Sequence, residues 1–576
     1  MTTLIIIIGA VVYAALYMIY GRKMESEVVK ADNAIQTPAH RLYDGVDYVP
    51  TRTSVLFGHH FASVAGAAPI VGPVVAMAWG WVPALAWVWF GNIFIGAVHD
   101  YLAVMASVRY DGKSIQFVAS DLINKRTGYL FYILVFFLLV LVVAAFAAVL
   151  GGMFMSNPGI PAAAAYLLIA AVIQGFLMYK TKLPFAVSTA IGIAMLVLVI
   201  YLAGVFPLEA SRNFWFLAMF FYIIIAAALP VQVLLQPRDY LNAWLLYVGL
   251  ILGGLGAIFA FQGFTAPAFT SFSPIISAGQ PTPFWPVIPL IIACGSLSGF
   301  HALVASGTTS KQISSEKAGL AIGYGVMLVE GFLSTIVVIA VAGWGVQVMT
   351  GAGQTITTAG WSTQYTPAMS GSFPNAAMFS ETWAAMIGDT WLNFIPETFL
   401  RIVAGMWVSS FALTTLDSTN RLARYTLAEI FLPLKSKSES LYRFFSNRWV
   451  ASVIPAAIGV YLGWSGSFGL LWPSFGAANQ LIAAIALLTG TAWVSKRLKT
   501  KATYAFIPAM ALWVTVTAAM VWYLAVVIPV TWAANPATGG TVGFITVAML
   551  IMNIIFIIDF FKTKNQPLAD TEIGAE

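Results

Sequence analysis

Charge is what this sequence has least of. Only 9% of its 576 residues are Asp, Glu, Lys or Arg, and 60% are hydrophobic; a soluble globular domain carries about 25% charged residues. A water-soluble fold is excluded, and the bilayer is the expected solvent. Cysteine occurs once, at Cys294, so no intrachain disulfide can form and cysteine usage says nothing of redox compartment. The sequence has no Walker-type Gly-rich loop with its Lys, which argues against direct ATP coupling. No stretch is both long and polar enough to build a separate soluble core. Neither a catalytic domain, an enzymatic activity nor a resident cofactor is therefore expected.

What is present is a series of apolar runs, near residues 3–20, 54–77, 83–108, 128–151, 160–179, 184–206, 213–235, 239–262, 285–306, 318–344, 398–420, 449–465, 468–492, 504–529 and 541–561. At roughly 20 apolar residues per spanning helix, they predict an all-α polytopic membrane protein with about 15 transmembrane helices. The first run has the length of a signal peptide, but Arg22 and Lys23 follow it rather than precede it, so it reads as a retained helix. The net charge of +6 suggests nucleic acid or an anionic surface only until the basic residues are placed along the chain. Of the 28 Lys and Arg, 26 fall in alternate loops on one side of the predicted spans; Arg212 is on the other, and Arg401 sits inside a run. Basic residues favour the cytoplasmic side, so the pattern predicts the N-terminus outside, the C-terminus inside, and no nucleic-acid site. Two outer connections are long, 262–284 and 345–397; the second lacks Lys and Arg and reads as a loop over the helix ends or a lid.

Ionisable residues inside spans cost about 3 kcal/mol each on insertion scales, which makes them functional candidates. Here they are His59, His60, His99, His301, Asp100, Glu330 and Asp417, with Asp559 nearer a helix end. The histidines reveal a repeat: Gly58-His59-His60 through Gly66, and Gly299-Phe300-His301 through Gly307, share the pattern Gly-x-His-x5-Gly. The first segment is predicted to enter from the cytoplasm and the second from outside, as in an inverted repeat. Each then loses helical character, the first at Pro69, Gly72 and Pro73 and the second at Ser306-Gly307-Thr308. Paired interrupted spans in two halves point to a secondary transporter's substrate site. The candidate substrate-site residues are His59, His60, Ser63, Gly66, Pro69, Ser298, His301, Ser306 and Thr308.

His59 and His60 point about 100° apart on a helix, so one lines a pathway and the other bonds a neighbouring helix. His99 and Asp100 fit a proton relay or an interhelical hydrogen bond, and Glu330 either carries a proton or pairs with a histidine. Ser410, Thr414 and Asp417 share one helical face, which suits a sodium ion or a proton-carrying carboxylate, with Ser418 beside it; helix–helix hydrogen bonding is the plainer reading. Asp417 also lies close enough to Arg421 and Arg424 for a salt bridge. The candidate coupling residues are thus Asp417, Thr414, Ser410, Ser418, Glu330, His99 and Asp100. The polar breaks Trp472-Pro473 to Gln480 and Gln232 to Asp239 fit gating or packing better than ligand contact.

Taken together, Asp44-Gly45-Val46-Asp47-Tyr48-Val49-Pro50-Thr51, Phe57-Gly58-His59-His60 to Gly72-Pro73, Val98-His99-Asp100-Tyr101, Gly299-Phe300-His301, Leu416-Asp417-Ser418-Thr419 and Trp472-Pro473 to Gln480 resemble the carbon starvation protein family. The likeness runs from about residue 5 past 490. It implies a bacterial inner-membrane transporter of peptides or a pyruvate/proton symporter, with a five-plus-five inverted repeat of LeuT-like type. Mapped here, residues 1–53 form an extra helix and cytoplasmic loop, 54–235 the first half, 236–283 a connecting helix and outer loop, 284–492 the second half, and 493–576 two further helices and a tail. Spans starting near Ser54 and Phe284 become the broken helices, and the Ser409 to Asn420 helix supplies the ion site. The expected partners are a small carboxylate or peptide, a coupling proton or sodium ion, and the lipid bilayer; oligomeric state is not legible. A histidine-lined channel and a membrane metalloprotein, the latter using ligand types such as those of His59, His60, His99 and Asp100, are the competing classes.

Overall fold

The computed structural model describes residues 1–45, 47–229, 234–370, 375–466, 468–564 and 566. Helix dominates; the only sheet among the described residues is a hairpin of Ile275–Ser277 and Gln280–Pro281. A bilayer enforces this, because backbone N–H and C=O groups find no water there and a helix satisfies them internally. Among the described residues, eleven helices are long and apolar enough to cross a membrane, or twelve if the pair Thr53–Val64 and Ala68–Trp79, bent by 52°, makes one crossing. The chain is a multi-pass membrane protein.

That count is below the fifteen expected, for local reasons. The run at 213–235 yields the helix Arg212–Ala228, with 17 residues. The run at 449–465 yields Arg448–Ser465, whose Arg448, Trp449 and Ser465 dilute an 18-residue stretch. The run at 285–306 is two short helices, Phe284–Ile291 and Gly299–Gly307, separated by irregular chain. A second correction concerns the expected outer loop at 345–397. It contains the helices Trp361–Ser370 and Asn375–Gly388. In the latter, Met378, Phe379, Trp383 and Met386 are fully buried against the Val326–Gly351 and Glu397–Phe431 helices. Those four apolar residues keep helical spacing, but 14 residues are too few to register as a span.

The other outer connection is pinned over the bundle. Thr270 Oγ1 donates to the Ala78 carbonyl at 2.6 Å and Thr265 Oγ1 to that of Gly343 at 3.0 Å. Gly80, at φ +102°, is where it crosses; a Cβ there would lie 2.6 Å from the Ala268 carbonyl oxygen, so both conformation and space require glycine.

The most apolar 18-residue stretch of Phe468–Leu498 is wholly enclosed, and those of Leu320–Gly351 and Glu397–Leu434 are 83% buried, whereas that of Thr2–Val29 is 22% buried and faces outward. The two interrupted segments meet within this centre. A Cβ on Gly72 would stand 2.7 Å from the Ile291 carbonyl oxygen and 3.0 Å from Ile292 Cα, so backbone touches backbone. Gly72→Val should therefore destabilise by about 1–3 kcal/mol through overpacking. Thermal unfolding in detergent checks this, with Gly351→Ala, where a Cβ meets nothing within 4 Å, expected to melt as the parent does.

Candidate functional site

Unwound backbone inside a membrane needs partners, and the second interrupted segment takes them from one helix. Trp472 Nε1 donates to the Ile291 carbonyl at 2.9 Å. Gln480 Nε2 donates to that of Pro289 at 2.9 Å and reaches those of Ala293 and Leu297 at 3.2 Å. Asn479 Oδ1 accepts from the Phe300 backbone N–H at 3.0 Å and from Ser298 Oγ at 3.2 Å, capping the start of Gly299–Gly307. The Trp472 to Gln480 motif thus holds the break open, and Ser298 belongs to that scaffold. The first segment is held similarly: Ser334 Oγ donates to the Pro69 carbonyl at 2.7 Å and Tyr365 to that of Val74 at 2.7 Å. Gly66 is packed against Thr415, whose Oγ1 would lie 2.7 Å from a Cβ there.

Capping places His301 in the core, where it meets acids from two other helices. Its Nδ1 lies 2.8 Å from Asp100 Oδ2 and its Nε2 lies 3.4 Å from Glu330 Oε2. Asp100 Oδ1 lies 2.7 Å from His99 Nδ1. Asp100, His301 and Glu330 are fully buried and His99 is 1% exposed. The result is a four-membered chain, Glu330–His301–Asp100–His99, joining the helices Ala97–Arg109, Gly299–Gly307 and Val326–Gly351. Two imidazoles and two carboxylates share this chain, so gain or loss of one proton changes its net charge. Neither Glu330 oxygen has a hydrogen-bond partner among the described residues, so the geometry leaves room for that proton.

His59 and His60 part company. His60 is fully buried, with Nδ1 2.8 Å from Thr309 Oγ1, which ties the two interrupted segments together. His59 is exposed, as are Gly307 and Thr308, while Ser63 is half-buried; a Cβ on Gly307 would meet open space. These accessible residues lie close along the chain to the His60–Thr309 bond and form one exposed set. Ser306 stays outside it: its Oγ donates to the Ala302 carbonyl at 2.6 Å and accepts from the Ile115 N–H at 3.1 Å.

Asp417 belongs to a different cluster. Arg238, fully buried, donates to it through Nη1 and, at 3.4 Å, through Nη2. Tyr222 OH donates to Asp417 Oδ2 at 2.7 Å and accepts from Arg238 Nη1 at 2.6 Å. Arg238 Nη2 also lies 2.8 Å from Asp239 Oδ1. Thr414 and Ser410 do face this side, but Thr414 Oγ1 donates to the Ser410 carbonyl at 2.8 Å and Ser410 Oγ to that of Trp407 at 3.0 Å. Ser418 Oγ reaches Asp417 Oδ1 at 3.4 Å. The cation beside Asp417 is thus Arg238; Arg421 instead donates to the Ala226 and Leu229 carbonyls. Sequence reasoning placed Arg238 in a cytoplasmic loop. Its only mark was being a lone basic residue, followed by an acid, at the start of an apolar run. The adjoining break at 232 lies outside the described residues. No group of three or more His, Cys, Asp or Glu among the described residues is arranged to hold a metal ion.

Comparison with known proteins supplies the context. The family profile of carbon starvation protein CstA matches residues 1–520. A Bacillus subtilis (strain 168) protein named peptide transporter CstA is 31% identical, over 99% of this chain and 98% of its own length. The Escherichia coli (strain K12) pyruvate/proton symporter BtsT is 30% identical, over 92% of this chain and 80% of its own. Among solved structures, a manganese transporter of Eremococcus coleocola aligns with 89% of this chain and 95% of its own at 13% identity and a TM-score of 0.43, too loose a likeness to carry over a cargo.

Proposed function

This chain belongs to the carbon starvation protein CstA family, and from that membership and the buried Glu330–His301–Asp100–His99 chain we propose a secondary active transporter that imports a small carboxylate such as pyruvate, or a short peptide, by proton symport. The observation that carries the proton is a fully buried imidazole within 3.4 Å of carboxylates on two sides. Such a cluster has two states that differ by one proton, and titratable groups inside a membrane protein mark proton routes. Relatives with a peptide-transporter name and with a pyruvate/proton-symporter name support both cargo classes.

Substrate enters, in this reading, at the accessible residues His59, Ser63 and Thr308. Residues 54–235 and 284–492 act as inverted halves, a reading supported by their crossing at Gly72 and by the His60–Thr309 bond. The protein sits in the bacterial inner membrane with the N-terminus outside and the C-terminus in the cytoplasm, supported by the placement of 26 of the 28 basic residues. Sodium coupling through Asp417 is less favoured, because Arg238 already occupies that carboxylate.

Proteoliposomes challenged with pyruvate, other small carboxylates and dipeptides test the function. One of these should accumulate against its gradient when the outside is acid, and a protonophore should abolish the accumulation. Uptake that only equilibrates, whatever the gradient, would establish the channel instead.

A further inference from the structure

At the basic end of the bundle, away from the buried chain, three helices draw apart. The Phe468–Leu498 span ends there, Thr503–Ala534 begins, and Pro536–Thr563 finishes beside them. Between them lies a cavity of about 110 Å³, walled largely by apolar atoms, with Phe506 and Phe560 among its lining. Two lysines, Lys496 and Lys564, line it, together with the hydroxyl residues Thr503 and Ser495, and no Asp or Glu among the described residues does.

Both ammonium groups can take an anion. Lys496 Nζ donates one hydrogen bond, to the Leu122 carbonyl at 2.9 Å, which leaves two of its three protons. Lys564 Nζ rests over the Phe506 ring, 4.4 Å from its centre, a contact that a phosphate would outbid. The Thr503–Ala534 span is only 39% buried, and Ile507 beside Phe506 is 66% exposed, so the cavity lies on the lipid-facing side. Basic pockets between transmembrane helices suit anionic headgroups.

We infer that this cavity is a binding site for an anionic phospholipid, its phosphate held by Lys496 and Lys564 and its glycerol and first methylenes packed against Phe506 and Phe560. The lipid would fasten Pro536–Thr563, which lies beyond the residues 1–520 matched by the family profile, to the enclosed Phe468–Leu498 helix. The inference is independent of cargo and coupling ion.

Thermal unfolding of the delipidated full chain, in detergent supplemented with phosphatidylglycerol, phosphatidylethanolamine or inorganic phosphate, tests it. Phosphatidylglycerol should raise the Tm by several degrees and the other two should not. Lys496→Gln/Lys564→Gln should lose that shift, and Lys435→Gln/Lys437→Gln, at exposed lysines elsewhere at the same end, should keep it. Should the double variant fail to fold, Lys564→Gln alone keeps the Lys496–Leu122 bond and should show a reduced shift. An equal shift with phosphatidylethanolamine or phosphate, or an undiminished shift in Lys564→Gln and in the double variant, would overturn the site.

Discussion

Glu330→Gln is expected to reduce proton-driven accumulation to the level of protein-free vesicles while substrate exchange between preloaded vesicles continues. The glutamine keeps the size of the side chain and presents His301 with a neutral group, as a protonated Glu330 would. It can neither release nor take up a proton. The cluster is then held in one of its two charge states, so substrate can cross in both directions without a coupled ion. Asp100→Asn should behave differently, because Asp100 lies within 2.8 Å of rings on two residues, His99 and His301. Losing it leaves His301 without its nearer acid, and both exchange and accumulation should fall. Counterflow and gradient-driven uptake, measured on the same preparations, separate the two outcomes.

The Arg238–Asp417 pair predicts a different pattern, in stability. Removing one partner of a buried ion pair costs about 3–5 kcal/mol, and Asp417→Asn leaves the fully buried Arg238 facing a neutral amide, with Asp239 as its remaining acid. A loss of about 3 kcal/mol is expected, at the lower end of that range because Asp239 remains. Replacing both partners, Arg238→Met with Asp417→Leu, should recover most of it, since a well-packed apolar pair removes both desolvation costs. Denaturant titration of Arg238→Met, Asp417→Leu and the double variant gives the cycle, with Asp417→Asn measured beside them. Folded Asp417→Asn protein should retain gradient-driven accumulation; its loss there, with exchange intact, would move the coupling site to Asp417.

How much of this was legible in the sequence varies with how local the determinant is. The Gly-x-His-x5-Gly segments marked the neighbourhood of both interruptions but misplaced the breaks: Pro69, Gly72 and Pro73 are helical within Ala68–Ala76, the first break falling just before them, and the second break, 292–298, precedes His301 instead of following it. The expected break at Trp472 to Gln480 is instead part of the continuous helix Phe468–Trp493, but its reading as packing fits, since its Trp, Asn and Gln hold the unwound backbone of the second interrupted segment. The partners of buried charges were not legible. His301 and Glu330 stand 29 positions apart, on different helices, and no spacing rule joins them. Arg238 and Asp417 are 179 positions apart, and a lone arginine at the start of an apolar run looks like a topology signal whether or not it turns inward. Ser410 and Thr414 lie on the face their spacing indicated, yet each hydroxyl donates to its own helix, a local bond that competes with any ligand. The buried Asn375–Gly388 helix was missed because hydropathy windows are tuned to full crossings, and 14 residues between polar flanks do not fill one.

Each substrate molecule should enter with a proton handled by Glu330 and His301. Proteoliposomes carrying a pH-sensitive dye inside, given the accumulated substrate with no starting pH gradient, measure it directly. The parent protein should acidify the lumen as substrate enters, and Glu330→Gln, at matched exchange activity, should leave the lumen pH unchanged. Substrate-dependent acidification of equal rate in Glu330→Gln would mean that Glu330 does not carry the proton.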